Sequence, residues 1–293
     1  MIFDYPQLFY RMDTSSWLGC ALDQNSKDRM EDAIEVKYFP GGAIFIVLDG
    51  HNGKTSVEFV AEHLASMILN SEPFISGKFE EALSFGFQQT ETDLAKFLSS
   101  GPGLVSSPRG DAELSRDFPK LTSGVVVCVV LIVGDKIYTA HAGDCRAVLC
   151  QNSKPVQLTE DHNLSNLTER IRVAEYIGPQ GYVKGLMVTR SLGNLTANTN
   201  GVLVKVDGQS SLPAISKREW TDEDDFILIG SDGLFEVMGN DVVIDTVIKA
   251  SKRPSFSANK SAQELVDRAI SRGSSDNICV CLIMLKKFKI REV

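Results

Sequence analysis

Two hydrophobic rhythms alternate along the chain. The first is the short unbroken apolar run, as in Ala43-Ile44-Phe45-Ile46-Val47-Leu48, Val125–Val133, Phe226–Ile229 and Ile278–Ile283. Runs of this length and β-branched content predict buried strands. Shorter runs predict further strands at Trp17–Leu22, Ile34–Phe39, Lys136–Ala140 and Ala147–Leu149, with a hairpin turn at Gly134-Asp135. The second rhythm has the helical period. Val57, Val60, Ala61, Leu64 and Ile68 recur within Thr55–Leu69, and Leu83, Phe87, Leu94 and Phe97 within Phe79–Leu98. Val242–Ala250 and Ala262–Arg272 are predicted helices, and Leu167–Tyr176 a short one. Gly, Ser and Pro make Ser99–Lys120 a mobile surface loop, and the polar stretch Leu195–Ser211 an exposed excursion. Strands do not alternate with single helices. Strands, a helix pair, more strands, a second helix pair and a last strand predict α+β layers. No repeat or linker interrupts residues 1–293, so a single domain is expected.

Composition narrows the function. Hydrophobic residues make up 43% and charged residues 23%, ordinary for a globular enzyme. The net charge of −8 argues against nucleic acid as a partner, because phosphate backbones need a basic face. No apolar stretch is long enough to span a membrane. Met1-Ile2-Phe3-Asp4 lacks the basic start of a secretory signal, and Ile2 stands where myristoylation needs glycine. The cysteines Cys20, Cys128, Cys145, Cys150, Cys279 and Cys281 contain no CxxC pair. Cys279 and Cys281 share a strand face but lie too far apart for a relaxed disulfide. Free thiols, and a cytoplasmic or nuclear location, are the expectation.

The chemistry is carried by acidic residues at strand ends. Asp49-Gly50-His51-Asn52-Gly53 follows the run that ends at Leu48. Ser231-Asp232-Gly233 follows the run that ends at Gly230, and Ser275-Asp276-Asn277 opens the last strand. Carboxylates from such distant segments can share a site only if cations sit between them, which points to Mg²⁺ or Mn²⁺. Taken singly, each motif is ambiguous, since Asp-Gly pairs usually mark turns.

Their order is more specific. Met30-Glu31-Asp32-Ala33, Asp49–Gly53, Thr122-Ser123-Gly124, Ala142–Leu149 (around Gly143-Asp144-Cys145-Arg146), Leu158–His162, Val188–Gly193, Ser231–Phe235 and Ser275–Asn277 together resemble the metal-dependent serine/threonine protein phosphatases of type 2C. The resemblance spans about Trp17 to Leu285. It implies a four-layer α-β-β-α sandwich, two antiparallel sheets face to face with a helix pair outside each. It also implies two Mg²⁺ or Mn²⁺ ions. Asp49 would bridge them, the Gly50 carbonyl would bind one, and Asp232 and Asp276 would hold the other. Glu31 would orient waters, and Asp144 would serve a third, weaker metal site. His51 would protonate the departing serine or threonine oxygen, a role suited to a group titrating near neutrality. The implied substrates are phosphorylated proteins, met by a monomer. His162 and Arg146 are given structural roles, and Thr122 and Ser123 hydrogen-bonding roles near the metal centre.

Three positions depart from the family's pattern. Lys27 stands where many members carry a phosphate-gripping arginine; it keeps the charge but loses the planar fork. Asn194 and Glu236 stand where aspartates are usual. Two other readings therefore stay open, a catalytically weak or silent phosphoprotein-binding scaffold and another two-metal hydrolase such as a nuclease. The full set of acids weighs against the first, since a scaffold has no need to bear their repulsion. The acidic balance weighs against the second.

Overall fold

The computed structural model describes residues 16–99, 122–197 and 203–288. Apart from Ser99, the loop expected over Ser99–Lys120 lies outside the described residues. In chain order the elements are β1 (Leu18–Asp23), β2 (Asp32–Phe39), β3 (Gly42–His51), α1 (Thr55–Leu69), α2 (Glu72–Ile75), α3 (Phe79–Ser99), β4 (Gly124–Val133), β5 (Lys136–Ala142), β6 (Arg146–Gln151), β7 (Lys154–Gln157), α4 (Leu167–Arg172), β8 (Leu192–Gly193), β9 (Leu195–Ala197), β10 (Leu203–Lys205), β11 (Ala214–Glu219), β12 (Asp224–Gly230), α5 (Asp232–Phe235), α6 (Asn240–Ser251), α7 (Ala258–Ser271) and β13 (Ile278–Ile283).

Apart from β9 and β10, which pair only with each other, these strands form two antiparallel sheets. One runs β1-β13-β12-β6-β7; the other runs β11-β5-β4-β3-β2, with β8 beside β4. The pleat of the central strands shows how they stack. Ala43, Phe45 and Val47 of β3 face the core shared with the first sheet, while Ile44, Ile46 and Leu48 face the core beneath α1 and α3. On β4, Val126, Cys128, Val130 and Ile132 divide in the same way from Val125, Val127, Val129 and Leu131. With both faces buried, neither face needs polar residues, which is why these strands read as unbroken apolar runs. Helices α6 and α7 cover the first sheet through Val243, Val247, Leu265 and Val266. The result is the four-layer α-β-β-α sandwich.

Several local expectations needed tertiary information. The strands β7 and β11 sit at sheet edges, where partial exposure leaves no apolar signature. The β6–β7 turn places Asn152 and Ser153 at φ 49° and 61°, the left-handed pair that a two-residue hairpin requires. The expected helix over Leu167–Tyr176 is split. It stops at Arg172, the Val173 side chain turns into the interior, and Ala174–Tyr176 forms a 3₁₀ turn. The excursion expected over Leu195–Ser211 is not wholly exposed. Its described ends pair as β9 and β10, and Leu195 is buried.

The antiparallel layout decides where the site must lie. At one edge of the sandwich β3, β5 and β12 end while β2, β6 and β13 begin. Glu31, Asp49, Asp144, Asp232 and Asp276 each fall at one of these junctions.

Close approach of β1 to α7 depends on Gly19. A Cβ there would stand 2.1 Å from the Ala258 carbonyl oxygen, on backbone that cannot rotate away. Gly19→Ala is expected to lower unfolding stability by roughly 1–3 kcal/mol, measured by urea denaturation. An unchanged denaturation midpoint would mean that α7 can shift without cost.

Candidate functional site

The floor of the site is built at the junction of β2 and β3. Asp32 pairs with Asp49 across the two strands. The Gly50 N–H donates to the Glu31 carbonyl at 3.0 Å, and a Cβ on Gly50 would come within 2.6 Å of that oxygen. Only glycine lets the two loops close this tightly. Asp232 opens α5 directly after β12. Its neighbour Ser231 ties the sheets together: the hydroxyl donates to Asp32 Oδ2 at 2.8 Å and accepts from the Cys279 N–H at 3.0 Å. Asn277 does the same for the β1–β2 loop. Its Oδ1 accepts from the Glu31 N–H at 2.7 Å, and its Nδ2 donates to the Gln24 and Arg29 carbonyls at 2.9 and 3.0 Å.

One cavity of about 900 Å³ takes in Lys27, Glu31, Asp49, Gly50, His51, Asp144, Asp232 and Asp276 together. Every residue put forward from the sequence as a metal ligand or as acting on the phosphate thus borders the same space. Burial, then negative neighbours, push the carboxyls up: Asp49 well above the usual carboxylate range, Asp32 to about 7 and Asp144 to about 8. Asp232 rises to about 6 for the same reasons, with Asp276 and Glu236 as its strongest charged neighbours. The neighbouring Asp49 side chain opposes part of that rise. Asp276 is instead engaged by Lys27 Nζ at 2.8 Å. Both partners are substantially exposed, so the ion pair contributes at most about 1 kcal/mol and is easily exchanged.

This donor set fits a hard divalent cation. Among the described residues, no three His, Cys, Asp or Glu side chains close on a point that could hold an ion between them. Mg²⁺ and Mn²⁺ do not need such a cage: they keep several waters and take one or two carboxylates. The Asp49–Asp232 approach supplies that pair, and a cation relieves the repulsion that raises both groups.

A chain of hydrogen bonds orients His51. Gln209 Nε2 donates to the Val188 carbonyl at 2.6 Å, which leaves its Oε1 to accept from Ser191 Oγ at 3.3 Å. Ser191 then accepts from Asn194 Nδ2 at 2.6 Å, and Asn194 presents Oδ1 to His51 Nε2 at 3.0 Å. His51 therefore carries its proton on Nε2, and among the described residues Nδ1 is the ring nitrogen without a partner. Burial holds the ring below the ordinary imidazole range, opposed by the bond to Asn194. Behind this chain Glu91 accepts from the Gly193 N–H at 2.8 Å and from the half-buried Lys205 ammonium at 2.6 Å.

The segment between His162 and Arg190 is pinned by Glu169. Its buried carboxylate accepts from Arg172, Arg190 and Thr189, and these bonds hold it well below the usual carboxylate range against the cost of burial. Arg146 is structural: it grips Asp161 through two nitrogens and lies over the Phe235 ring. Ser123 is buried and braces the β3–α1 loop through the Gly53 carbonyl and the Ser56 N–H, while Thr122 borders the cavity. Glu236 faces a smaller adjoining cavity of about 400 Å³ shared with Asp144 and Asp232. Roles for Asp32, Ser231, Asn277, Ser191 and Gln209 were missed in the sequence. All but Gln209 lie inside or beside a motif, so position was visible but partner was not.

Comparison with known proteins follows the same lines. The sequence profile described as protein phosphatase 2C matches residues 23–278. A probable protein phosphatase 2C of Oryza sativa subsp. japonica is 32% identical over 94% of this chain and 75% of its own length. A protein phosphatase 2C of Paramecium tetraurelia is 30% identical over 84% of this chain and 83% of its own. Among solved structures, a serine-threonine phosphatase 2C from Toxoplasma gondii has a TM-score of 0.73 at 16% identity, covering 91% of this chain and 94% of that one. A C. elegans sex determining protein has a TM-score of 0.75 at 20% identity; the match covers 92% of this chain and 65% of that one. At these identities the structural likeness is one of fold.

His141 and His162 lie behind the site, stacked with centroids 4.3 Å apart. Their nitrogens serve the backbone: His141 Nε2 meets the Glu160 carbonyl at 2.7 Å, and His162 Nδ1 accepts from the Gly143 N–H at 3.3 Å. Burial pushes both below the ordinary imidazole range, His162 to about 3. Below the unfolded value near 6.5 the unfolded chain binds protons that the folded pair refuses, so stability is lost as pH falls. The raised carboxyls act with opposite sign, so the effect is read as a difference. The stability advantage of wild type over His162→Gln is expected to shrink by about 2 kcal/mol between pH 7 and pH 5 in chemical denaturation. A constant advantage would place the histidine effect elsewhere.

Proposed function

Because this chain belongs to the protein phosphatase 2C family, we propose that it removes phosphate from phosphoserine and phosphothreonine in proteins, with two Mg²⁺ or Mn²⁺ ions at the cavity edge of the sandwich. One observation carries the reading. Asp49, Asp232 and Asp276, from three distant segments, border one open cavity together with His51 and Lys27. Asp49, the Gly50 carbonyl, Asp232 and Asp276 would hold the pair of ions, with Glu31 placed to orient water and Asp144 to serve a third site. When bound, the ions neutralise phosphoryl oxygens and acidify water.

The chain's own residues do the rest. Lys27 and Arg29 line the mouth of the cavity and give a phosphorylated segment a positive approach. Lys27 gives up a weak, exposed ion pair when it turns to a phosphoryl group. His51, with Nε2–H fixed on Asn194, offers Nδ1 to the leaving oxygen; a proton carried there passes to the serine or threonine alkoxide as the P–O bond breaks. Asn194 replaces a carboxylate without loss of this contact, since an amide oxygen accepts the same hydrogen bond.

Two measurements test the reading. Phosphate release from a phosphoserine or phosphothreonine peptide is expected only with Mn²⁺ or Mg²⁺ supplied, and Asp49→Asn is expected to reduce it about 100-fold or more. Metal-supplied wild type without turnover, or an equally active variant, would overturn the proposal. His51→Ala is expected to slow phosphopeptide hydrolysis by about 100-fold or more while affecting an activated aryl phosphate much less, because only the alkoxide needs an acid. Equal losses on both substrates would remove His51 from that role.

A further inference from the structure

Cys20 on β1 and Cys281 on β13 stand directly opposite each other, with Sγ atoms 4.0 Å apart. Opposed residues in an antiparallel ladder alternate between hydrogen-bonded and non-hydrogen-bonded pairs, and the second kind brings Cα atoms to about 4.5 Å with the side chains closer. The Cys20 N–H turns away from β13 and donates to Asn259 Oδ1 at 3.0 Å. On β13 the bonding directions alternate. The Met284 N–H reaches the Trp17 carbonyl on the β1 side, while the Cys279 carbonyl accepts from the Ser231 N–H on the β12 side. Cys281, two residues beyond Cys279, shares its direction and bonds toward β12. Cys20 and Cys281 therefore form a non-hydrogen-bonded pair, whose spacing falls in the roughly 4.4–6.8 Å Cα window of a disulfide. That spacing suits a bond between them, and the sulfurs already stand 4.0 Å apart.

The two thiols are also unequal. Among the described residues, Cys20 is the one cysteine that is only partly buried; Cys281 and the others are buried. The contact between the sulfurs lowers the Cys20 thiol and pushes Cys281 up, so Cys20 is the partner that ionises. Thiolate character and access together select the sulfur that meets an oxidant first.

We propose that Cys20 and Cys281 form a reversible oxidation site, at which a peroxide oxidant converts the two thiols into a cross-strand disulfide between β1 and β13. With hydrogen peroxide, the Cys20 thiolate attacks one oxygen, the O–O bond breaks, and the departing hydroxide takes a proton to leave water and a sulfenic acid. The Cys281 sulfur then attacks the Cys20 sulfur. The S–S bond forms, the S–O bond breaks, and the hydroxide released takes the Cys281 proton as a second water. The two sulfurs together lose two electrons, and the peroxide gains them. The bond would tie edge strand β1, which leads into the Lys27 loop, to β13, which starts beside Asp276.

The test uses the full reduced chain exposed to hydrogen peroxide, alkylated, digested without reductant and mapped by mass spectrometry. One species joining the Cys20 and Cys281 peptides, lighter by two hydrogens and released by dithiothreitol, is expected. Cys20→Ser is expected to abolish the link and leave Cys281 reduced. In Cys281→Ala, Cys20 is expected to stop at a sulfenic acid that dimedone traps. Wild-type Cys20 that stays alkylatable, goes directly to sulfinic acid, or links to a cysteine of another chain would overturn the proposal.

Discussion

The carboxylates of Asp49, Asp232, Asp144 and Asp32 repel one another across a site that burial has already made unfavourable for charge. A chain left to itself would swing such groups out to water. Here three of them are held by regular structure or by a hydrogen bond across the sheets. Asp49 lies two residues before the end of β3, whose preceding residues are buried on both faces; Asp232 starts α5; Asp32 is locked to Ser231. The apolar energy of the sandwich thus holds in place an arrangement that is unfavourable electrostatically until cations enter it.

The connections that hold the site together are uncharged. Ser231 joins the two sheets through one hydroxyl, and Asn277 joins β13 to the β1–β2 loop through one amide. Neutral donors and acceptors suit these places because another charge would either neutralise the acids or add to their repulsion. The rim is different. Lys27 and Asp276 form an exposed pair of little energetic weight, and exchange of partners there is cheap. A rigid floor and an exchangeable rim are what a site needs if it must bind and release a charged group.

On the far side, Glu169 with Arg172 and Arg190 makes a buried charged anchor for the segment that borders the cavity through Met187 and Val188. The Gln209–Ser191–Asn194 relay carries that anchoring to His51. The orientation of the histidine is therefore set by the segment ending at Arg190 as much as by its own strand. This is the physical sense in which a segment remote in sequence from Asp49 contributes to the same chemistry.

Much of this was legible in the chain itself. Unbroken apolar runs announced β3, β4, β12 and β13 because strands buried on both faces carry no polar alternation, and the 3.6-residue period announced α1 and α3. The strand-end motifs marked where oxygen ligands would be offered, since position relative to a strand end is a local property. Edge strands β7 and β11 stayed hidden because half-exposed segments resemble loops, and the break at Val173 depended on a core position the chain could not announce. Which atoms meet was decided only by the fold. The pairing of Asp32 with Asp49, of Cys20 with Cys281 and of Asn194 with His51 depends on register and layer stacking, and these are set by packing between segments far apart in sequence.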